Sequence, residues 1–199
     1  MDLSDQFRHI GEDVTIWPNA KVVNRDCISI GNSVIIDDFV LFIGGNNTKI
    51  GDFVHIGAFS LITGGGDFFI ADFAGISSGV KVFTGNEKYF GECLTNPTVP
   101  YPFREPIRSF VRIEKHTIVG ANAVILPGVV LGEGCVVGAN SLITKSCAPW
   151  TIYSGTPARK IGARPSVKMI LLESELRKVC YSNDGSYIAT SHRKFTERK

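Results

Sequence analysis

Apolar residues in this chain recur in steps of fixed length. Ile10, Ile30, Ile50 and Ile70 stand 20 residues apart, and each is followed by a small residue: Gly11, Gly31, Gly51 and Ala71. Ile16, Ile36, Ile56 and Ile76 form a second series at the same spacing, and Val22, Phe42, Ile62 and Val82 a third. Each unit therefore reads as steps of six, six and eight, with the extra pair of residues always in the same place. From Ile113 onward the steps become strict hexads through Val119, Ile125, Leu131, Val137 and Ile143. A fixed internal period of this kind is the mark of a stacked repeat.

Side chains on a strand alternate between faces, so six residues hold a short strand and a turn. The aliphatic residue opening each step points inward, and the small residue after it lets the chain turn. Three such strands per coil predict an all-β triangular prism, its coils stacked by parallel pairing about 4.8 Å apart. The inward residues then align in three columns. Each buried aliphatic contributes roughly 1.5–3 kcal/mol, and no coil is stable without its neighbours. A doubly wound α/β fold is excluded, because no long helical stretches separate the strands.

Two segments break the rhythm. Residues 84–112, TGNEKYFGECLTNPTVPYPFREPIRSFVR, hold four prolines and no hexads. A long excursion from a regular solenoid is usually either functional or disordered, and Tyr89, Phe90, Tyr101 and Phe103 give this one material for packing. After Pro149, the stretch 166–179 (SVKMILLESELRKV) predicts a helix placed to close the open end of the prism. From Tyr181 the tail is polar and basic and is expected to be poorly ordered. The chain thus divides into a β-helix domain over 1–165, with the insertion at 84–112, and a helix with a polar tail over 166–199.

Composition narrows the function. Against 21 Lys and Arg stand 19 Asp and Glu, a formal net charge of +2, too balanced to indicate a nucleic-acid partner. No apolar run approaches the ~18–20 residues of a membrane span. The opening MDLSDQFRHIGEDV is polar and acidic, unlike a secretory signal. The five cysteines, Cys27, Cys93, Cys135, Cys147 and Cys180, are scattered and odd in number, which fits reduced thiols in the cytoplasm better than a disulfide framework or a zinc site.

The stretch GANAVILPGVVLGEGCVVGANSLITKS (120–146), followed by YSGTPARKIGARP (153–165), resembles the end of hexapeptide-repeat acetyltransferases. The combination of ILPGV, SLITK and GTPAR resembles most the galactoside, maltose and xenobiotic O-acetyltransferases. The resemblance covers roughly residues 10–165 and implies a left-handed parallel β-helix, a homotrimer, acetyl-CoA as donor, no metal, and active sites in the clefts between prisms. The handedness comes from the resemblance and not from the spacing. Carried over position by position, Ala121 and Ala139 match the small residues beside which pantetheine lies, Thr144 and Lys145 the pair that meets its distal end, and Arg159 the cation near the CoA phosphates. Small residues permit close approach and cations meet phosphate. The same alanines are also what the coil turns require.

Acyl transfer to a hydroxyl needs a base, and histidine suits that role near neutral pH. His9 precedes the first coil and His192 lies in the tail. The galactoside and maltose enzymes carry a His-Pro at the start of the loop, where this chain has Glu87-Lys88. Three alternatives follow. His116, in IEKHTIVG, is preferred as base, with Glu87 or Asp72 as orienting carboxylate. His55, in IGDFVHIG, comes second; that segment resembles a stretch of nucleotide-sugar N-acetyltransferases whose histidine lines the acceptor site. Alternatively no strong base is needed, because the acceptor is an amine, and Glu87 acts as base or orienting partner. Asn86, Tyr89 and Asn96 are expected to contact a sugar acceptor.

The first expectation is therefore acetyl-CoA-dependent O-acetylation of a sugar, in polysaccharide or nucleotide-sugar metabolism. The alternative is N-acetylation of a nucleotide-linked amino sugar. A hydratase of the γ-carbonic anhydrase type needs three histidine ligands, and only two histidines are well placed. A scaffolding β-helix would bind no CoA.

Overall fold

The computed structural model describes residues 6–192. The chain forms a parallel β-solenoid of triangular section with three faces. Face A holds His9–Ile10, Ile28–Ile30, Thr48–Ile50, Asp67–Ile70, Phe110–Ile113 and Val129–Leu131. Face B holds Thr15–Ile16, Ile35–Ile36, His55–Ile56, Gly75–Ile76, Ile118–Val119 and Val136–Val137, then the hairpin Thr151–Gly155 and Ala158–Ala163, whose second strand is antiparallel. Face C holds Lys21–Val23, Leu41–Ile43, Leu61–Thr63, Lys81–Phe83, Val124–Ile125 and Leu142–Ile143.

The pairing register reproduces the three periodic series. Ile10 pairs with Ile30, Ile30 with Ile50, Ile50 with Ile70, Ile70 with Ile113 and Ile113 with Leu131. Ile76 meets Val119 and Val82 meets Ile125 in the same way on the other faces. The inward residues Ile30, Ile36, Phe42, Ile56, Ile62, Ile113 and Leu131 are buried in one continuous core. Stacking leaves little room beside the backbone: a Cβ on Gly11 would lie 2.6 Å from the Gly31 carbonyl oxygen. That is why small residues follow the inward aliphatics.

The excursion is shorter than the broken rhythm suggests. Phe110–Ile113 is already a strand of face A, paired residue for residue with Asp67–Ile70. Val111 is fully buried. Its inward position falls two residues before Ile113, which the hexad count does not mark.

The C-terminal segment also departs from expectation. The helix Val167–Cys180 lies along the A–B corner and does not close the prism end. Glu173 meets Lys115 at 2.7 Å and His116 at 2.6 Å, and Arg177, one helical turn on, meets Asp72 at 2.6 Å. Tyr181 donates its hydroxyl proton to Asp52. Residues 173, 177 and 181 fall on one helix side, and each advance of four residues drops roughly one coil, since a 5.4 Å helical pitch nearly matches the 4.8 Å coil rise. Beyond the helix, the Tyr187 hydroxyl and the Thr190 amide and hydroxyl donate to Asp13. The tail is thus ordered through residue 190 as a strap running back to the first coil; residues 193–199 lie outside the described residues. No described helix is long and apolar enough to cross a membrane.

Two outcomes follow from this packing. Ile56→Ala, in the centre of the core, should cost about 2–5 kcal/mol of unfolding free energy, read by urea denaturation. An unchanged midpoint would contradict the inward column. Burial alone would raise the Glu173 pKa, but hydrogen bonds from Lys115, Arg177 and His116 outweigh it and hold the carboxyl at about 2, below the ordinary 4.5. Because the folded pKa is depressed, the helix anchor is complete above the ordinary value and is lost as pH falls towards about 2. Amide exchange over 167–180 should accelerate through that window, and Glu173→Gln should remove most of the pH dependence.

Candidate functional site

The excursion leaves the prism at the C–A corner through a narrow neck. The Thr84 hydroxyl donates to the Thr63 carbonyl at 3.1 Å and accepts from the Gly66 amide at 3.0 Å. Gly85–Asn86 then pairs antiparallel with Ile107–Arg108. The Arg108 guanidinium donates to the Gly64 carbonyl at 2.6 Å. Gly65 holds φ of +71° directly beneath that arginine, a backbone conformation that glycine adopts at little cost. Between neck and prism lies an open cleft of about 800 Å³, lined among others by Gly65, Asn86, Glu87, Tyr89, Arg104 and Arg108.

Three expected residues therefore share this cleft: Asn86, Glu87 and Tyr89. The Tyr89 hydroxyl donates to the Asn86 side-chain oxygen at 3.1 Å. Asn96 does not line the cleft. It adopts φ of +81° and accepts from the Thr98 amide at 3.0 Å, shaping a turn of its own loop. Glu87 receives Arg104 on both carboxylate oxygens, at 2.8 to 3.1 Å. That hydrogen bonding keeps its pKa below the usual carboxylate value, so it serves as a fixed negative charge and is a weak base.

His116 and His55 lie elsewhere on the prism. His116 occupies the A–B corner at φ of +59° and is only 4% exposed. Its ring stacks on Phe73 at 5.3 Å, which stacks on Phe53 at 4.9 Å, with Trp150 5.9 Å away on the other side. Its Nε2 faces Glu173. The preferred base is thus packed into the helix anchor, away from the cleft, and Asp72, its proposed orienting partner, is held by Arg177. His55 stands outward on face B, exposed, with Nε2 2.9 Å from Asp37. It is the candidate base with access to solvent and a carboxylate to orient it.

A second pocket, of about 430 Å³, lies at the C-terminal end of the prism. It is lined by Thr144, Lys145, Tyr153, Arg159 and Lys160 among others. Three of the five expected donor-binding residues meet here, with Lys160 as a third cation. Ala121 and Ala139 occupy the B–C corner of adjacent coils, where the Asn140 amide donates to the Ala121 carbonyl at 2.8 Å. Cleft and pocket lie along one prism edge: Leu126 lines the cleft, and its amide donates to Ile143, which lines the pocket.

Sequence reasoning missed Arg104, Arg108, Asp37 and Glu173. The loop arginines carry no periodic signal. Asp37 was legible: Ile35 pairs with His55, so Asp37 stands two residues along the neighbouring strand, on the same outward side. Among the described residues no cluster of His, Cys, Asp and Glu could hold a metal ion.

Residues 110–145 match the model of the hexapeptide repeat of succinyl-transferase. The chain is 41% identical over 169 residues to the dTDP-4-amino-4,6-dideoxy-D-glucose acyltransferase of Escherichia coli, covering 84% of this chain and 88% of that protein. It is 39% identical to AntD, an N-acyltransferase from Bacillus cereus solved with dTDP and 3-hydroxybutyryl-CoA, with a TM-score of 0.81 over 87% of this chain and 92% of AntD. The galactoside O-acetyltransferase of Lactococcus lactis is 35% identical over 38% of this chain and 40% of its own. The expectation of O-acetylation is corrected by this contrast: the likeness to N-acyltransferases runs through nearly the whole chain, that to the O-acetyltransferase through little more than a third. The chain belongs to the hexapeptide-repeat family of acyl-CoA-dependent acyltransferases.

Proposed function

We propose that this protein transfers an acyl group from a coenzyme A thioester to the amino group of a dTDP-linked amino-deoxy sugar. The observation that carries this reading is the 41% identity to an enzyme of that acceptor class over 84% of the chain. An alignment of that length includes the 84–109 excursion wherever it begins.

The chemistry of the site supports an amine acceptor. A hydroxyl needs a base to remove its proton as it attacks, and all three candidate bases face a charged partner: His116 meets Glu173, Glu87 meets Arg104 and His55 meets Asp37. A neutral amine attacks with its own lone pair. The C–N bond forms at the thioester carbonyl, the C–S bond breaks, and the proton released from nitrogen ends on the CoA thiol. His55, oriented by Asp37 on the outward side of face B, stands outside the cleft at the C–A corner and would relay that proton only across an interface of the proposed homotrimer. The Glu87 carboxylate, kept ionised by Arg104, favours an acceptor that carries an amino group.

The donor's phosphates fit Lys145, Arg159 and Lys160, with Thr144 beside them and Ala121 and Ala139 lining the path of the pantetheine arm. The acceptor sugar fits the cleft at Asn86 and Tyr89. The assembly is read as a homotrimer, in which exposed Trp17 and Ile35 on the outer side of face B and Leu41 on face C would be covered by a neighbour. The cysteines make no disulfide among the described residues, which fits the reducing cytoplasm, where acyl-CoA is available.

Two measurements test the reading. With acetyl-CoA as donor, thiol release should occur with dTDP-4-amino-4,6-dideoxyglucose and fall at least ~10²-fold with dTDP-glucose. Equal rates would overturn it. His55→Asn should lower kcat about 10²-fold or more. His116→Ala should leave kcat within a few-fold while lowering the melting temperature, and the opposite pattern would return the base to His116.

A further inference from the structure

The last coil of the prism carries two cysteines that no step of the proposed transfer uses. Cys147 stands on face A as the rung after Leu131, with which it bridges in parallel. Cys135 lies across the A–B corner, at the entry to face B, where its carbonyl accepts from the Ile118 amide at 2.9 Å. Both side chains belong to the inward core. Gly132 ties their backbones together: its amide donates to the Cys147 carbonyl at 3.0 Å, and its carbonyl accepts from the Cys135 amide at 3.0 Å. A Cβ on Gly132 would lie 2.9 Å from the Cys147 carbonyl oxygen, so this close approach requires a glycine. Within that frame the two thiols share a hydrogen bond.

The two sulfurs differ in access and in acidity. Cys135 is fully buried, whereas Cys147 is 6% exposed and lines the pocket of Thr144, Lys145 and Arg159. The Cys147 thiol donates to the Lys145 carbonyl at 3.8 Å. Hydrogen bonding with Cys135 holds the Cys147 pKa below the ordinary thiol value, against the effect of burial. The same bond raises the pKa of Cys135, and burial raises it further. The thiolate is the form that attacks an oxidant, so the member facing the pocket is also the member readier to ionise. An acidic, reachable thiol with a second thiol beside it is the arrangement of reversible cysteine oxidation.

We propose that Cys147 and Cys135 are a peroxide-oxidised pair, oxidised first at Cys147 from the pocket and resolved by Cys135, and that a bound acyl-CoA donor shields it. In the first step the Cys147 sulfur attacks one peroxide oxygen. The O–O bond breaks, Cys147 becomes a sulfenic acid, and the other oxygen leaves as water with the thiol proton. In the second step the Cys135 sulfur attacks the Cys147 sulfur. The S–O bond breaks, and the hydroxide leaves with the Cys135 proton as a second water. Two thiols are oxidised and one peroxide is reduced. The sulfurs, already in contact, close to about 2.05 Å. Hydrogen peroxide is near water in size and reaches a sulfur that bulkier oxidants do not. The new bond closes a loop over residues 136–146, which carries Ala139, Thr144 and Lys145. Transient disulfides of this kind form in otherwise reducing compartments. The shielding rests on the donor site proposed above; the oxidation does not.

The protein is reduced, treated with hydrogen peroxide, and read by intact mass and peptide mapping, with and without acetyl-CoA, whose own sulfur is blocked as a thioester. The wild type should lose two hydrogen atoms, place them at a Cys135–Cys147 crosslink, and regain them with dithiothreitol. Cys135→Ala should instead gain one oxygen at Cys147, trapped by dimedone. Acetyl-CoA at about 100 Kd should slow crosslinking at least ~10-fold, in line with its occupancy. Failure of the wild type to form the crosslink overturns the pair, whether or not Cys27 or Cys93 takes up oxygen, and needs no variant to fold. A Cys135→Ala protein that stays folded and gains no oxygen at Cys147 overturns the order of attack. Crosslinking at an undiminished rate while calorimetry shows acetyl-CoA bound overturns the shielding. If calorimetry shows no acetyl-CoA binding, the donor reading itself fails, and the crosslink map still decides the cysteine pair.

Discussion

Everything in this molecule depends on coils stacking in register at the spacing of parallel strands. Inward aliphatics can bury one another only if each coil repeats the turn geometry of the last. The corners therefore hold residues in the left-handed conformation coil after coil: Asp13, Ser33, Phe53, Phe73 and His116 along one edge alone. Each such non-glycine residue costs on the order of 1–3 kcal/mol. The cost is offset because like positions then stack. Phe53 lies on Phe73 and Phe73 on His116. Just before each of these positions, Asn32, Asp52 and Asp72 accept from backbone amides of the preceding coil, at 2.6 to 3.0 Å.

This constraint turns a sequence period into a set of straight edges, and each edge has taken a different task. The A–B edge presents carboxylates and aromatic rings in a line, and the C-terminal strap reads that line with Glu173, Arg177, Tyr181 and Tyr187. The C–A edge carries the glycines at 64–66, whose lack of side chains lets the excursion fold back against the prism. The B–C edge displays the stacked Phe39–Phe59 pair and, further along, Ala121 and Ala139. A helix placed on the first edge leaves the other two available for ligands.

The fold was legible because its main determinant is local and periodic: the three aliphatic series give the pairing register without reference to anything distant. The site was legible in part. Thr144, Lys145 and Arg159 converge as expected, since they belong to the regular end of the prism and its hairpin. Asn86, Glu87 and Tyr89 share a cleft because they sit at the loop's neck, where the prism still dictates position. Asn96, deeper in the loop, is governed by its own turn. The burial of His116 against the helix was not legible for a specific reason. Its partner Glu173 is 57 residues away in sequence, on a helix whose docking follows from helix pitch against coil rise, and no hexad count contains that relation.

The placement of the histidines bears on the chemistry as well as on the fold. A buried imidazole against a carboxylate that also holds a lysine and an arginine cannot move a proton to a substrate without dismantling the anchor of the helix. Glu87 is similarly committed to Arg104. What remains at the surface is His55, its Nε2 2.9 Å from Asp37 and outside any packed network. A site that assigns its strongest charges to architecture makes a poor catalyst for an acceptor that must be deprotonated. It is adequate for an amine, where the nucleophile brings its own lone pair and the enzyme's work is chiefly alignment of two bound molecules. In the proposed reaction the long straight edges of the solenoid would supply that alignment.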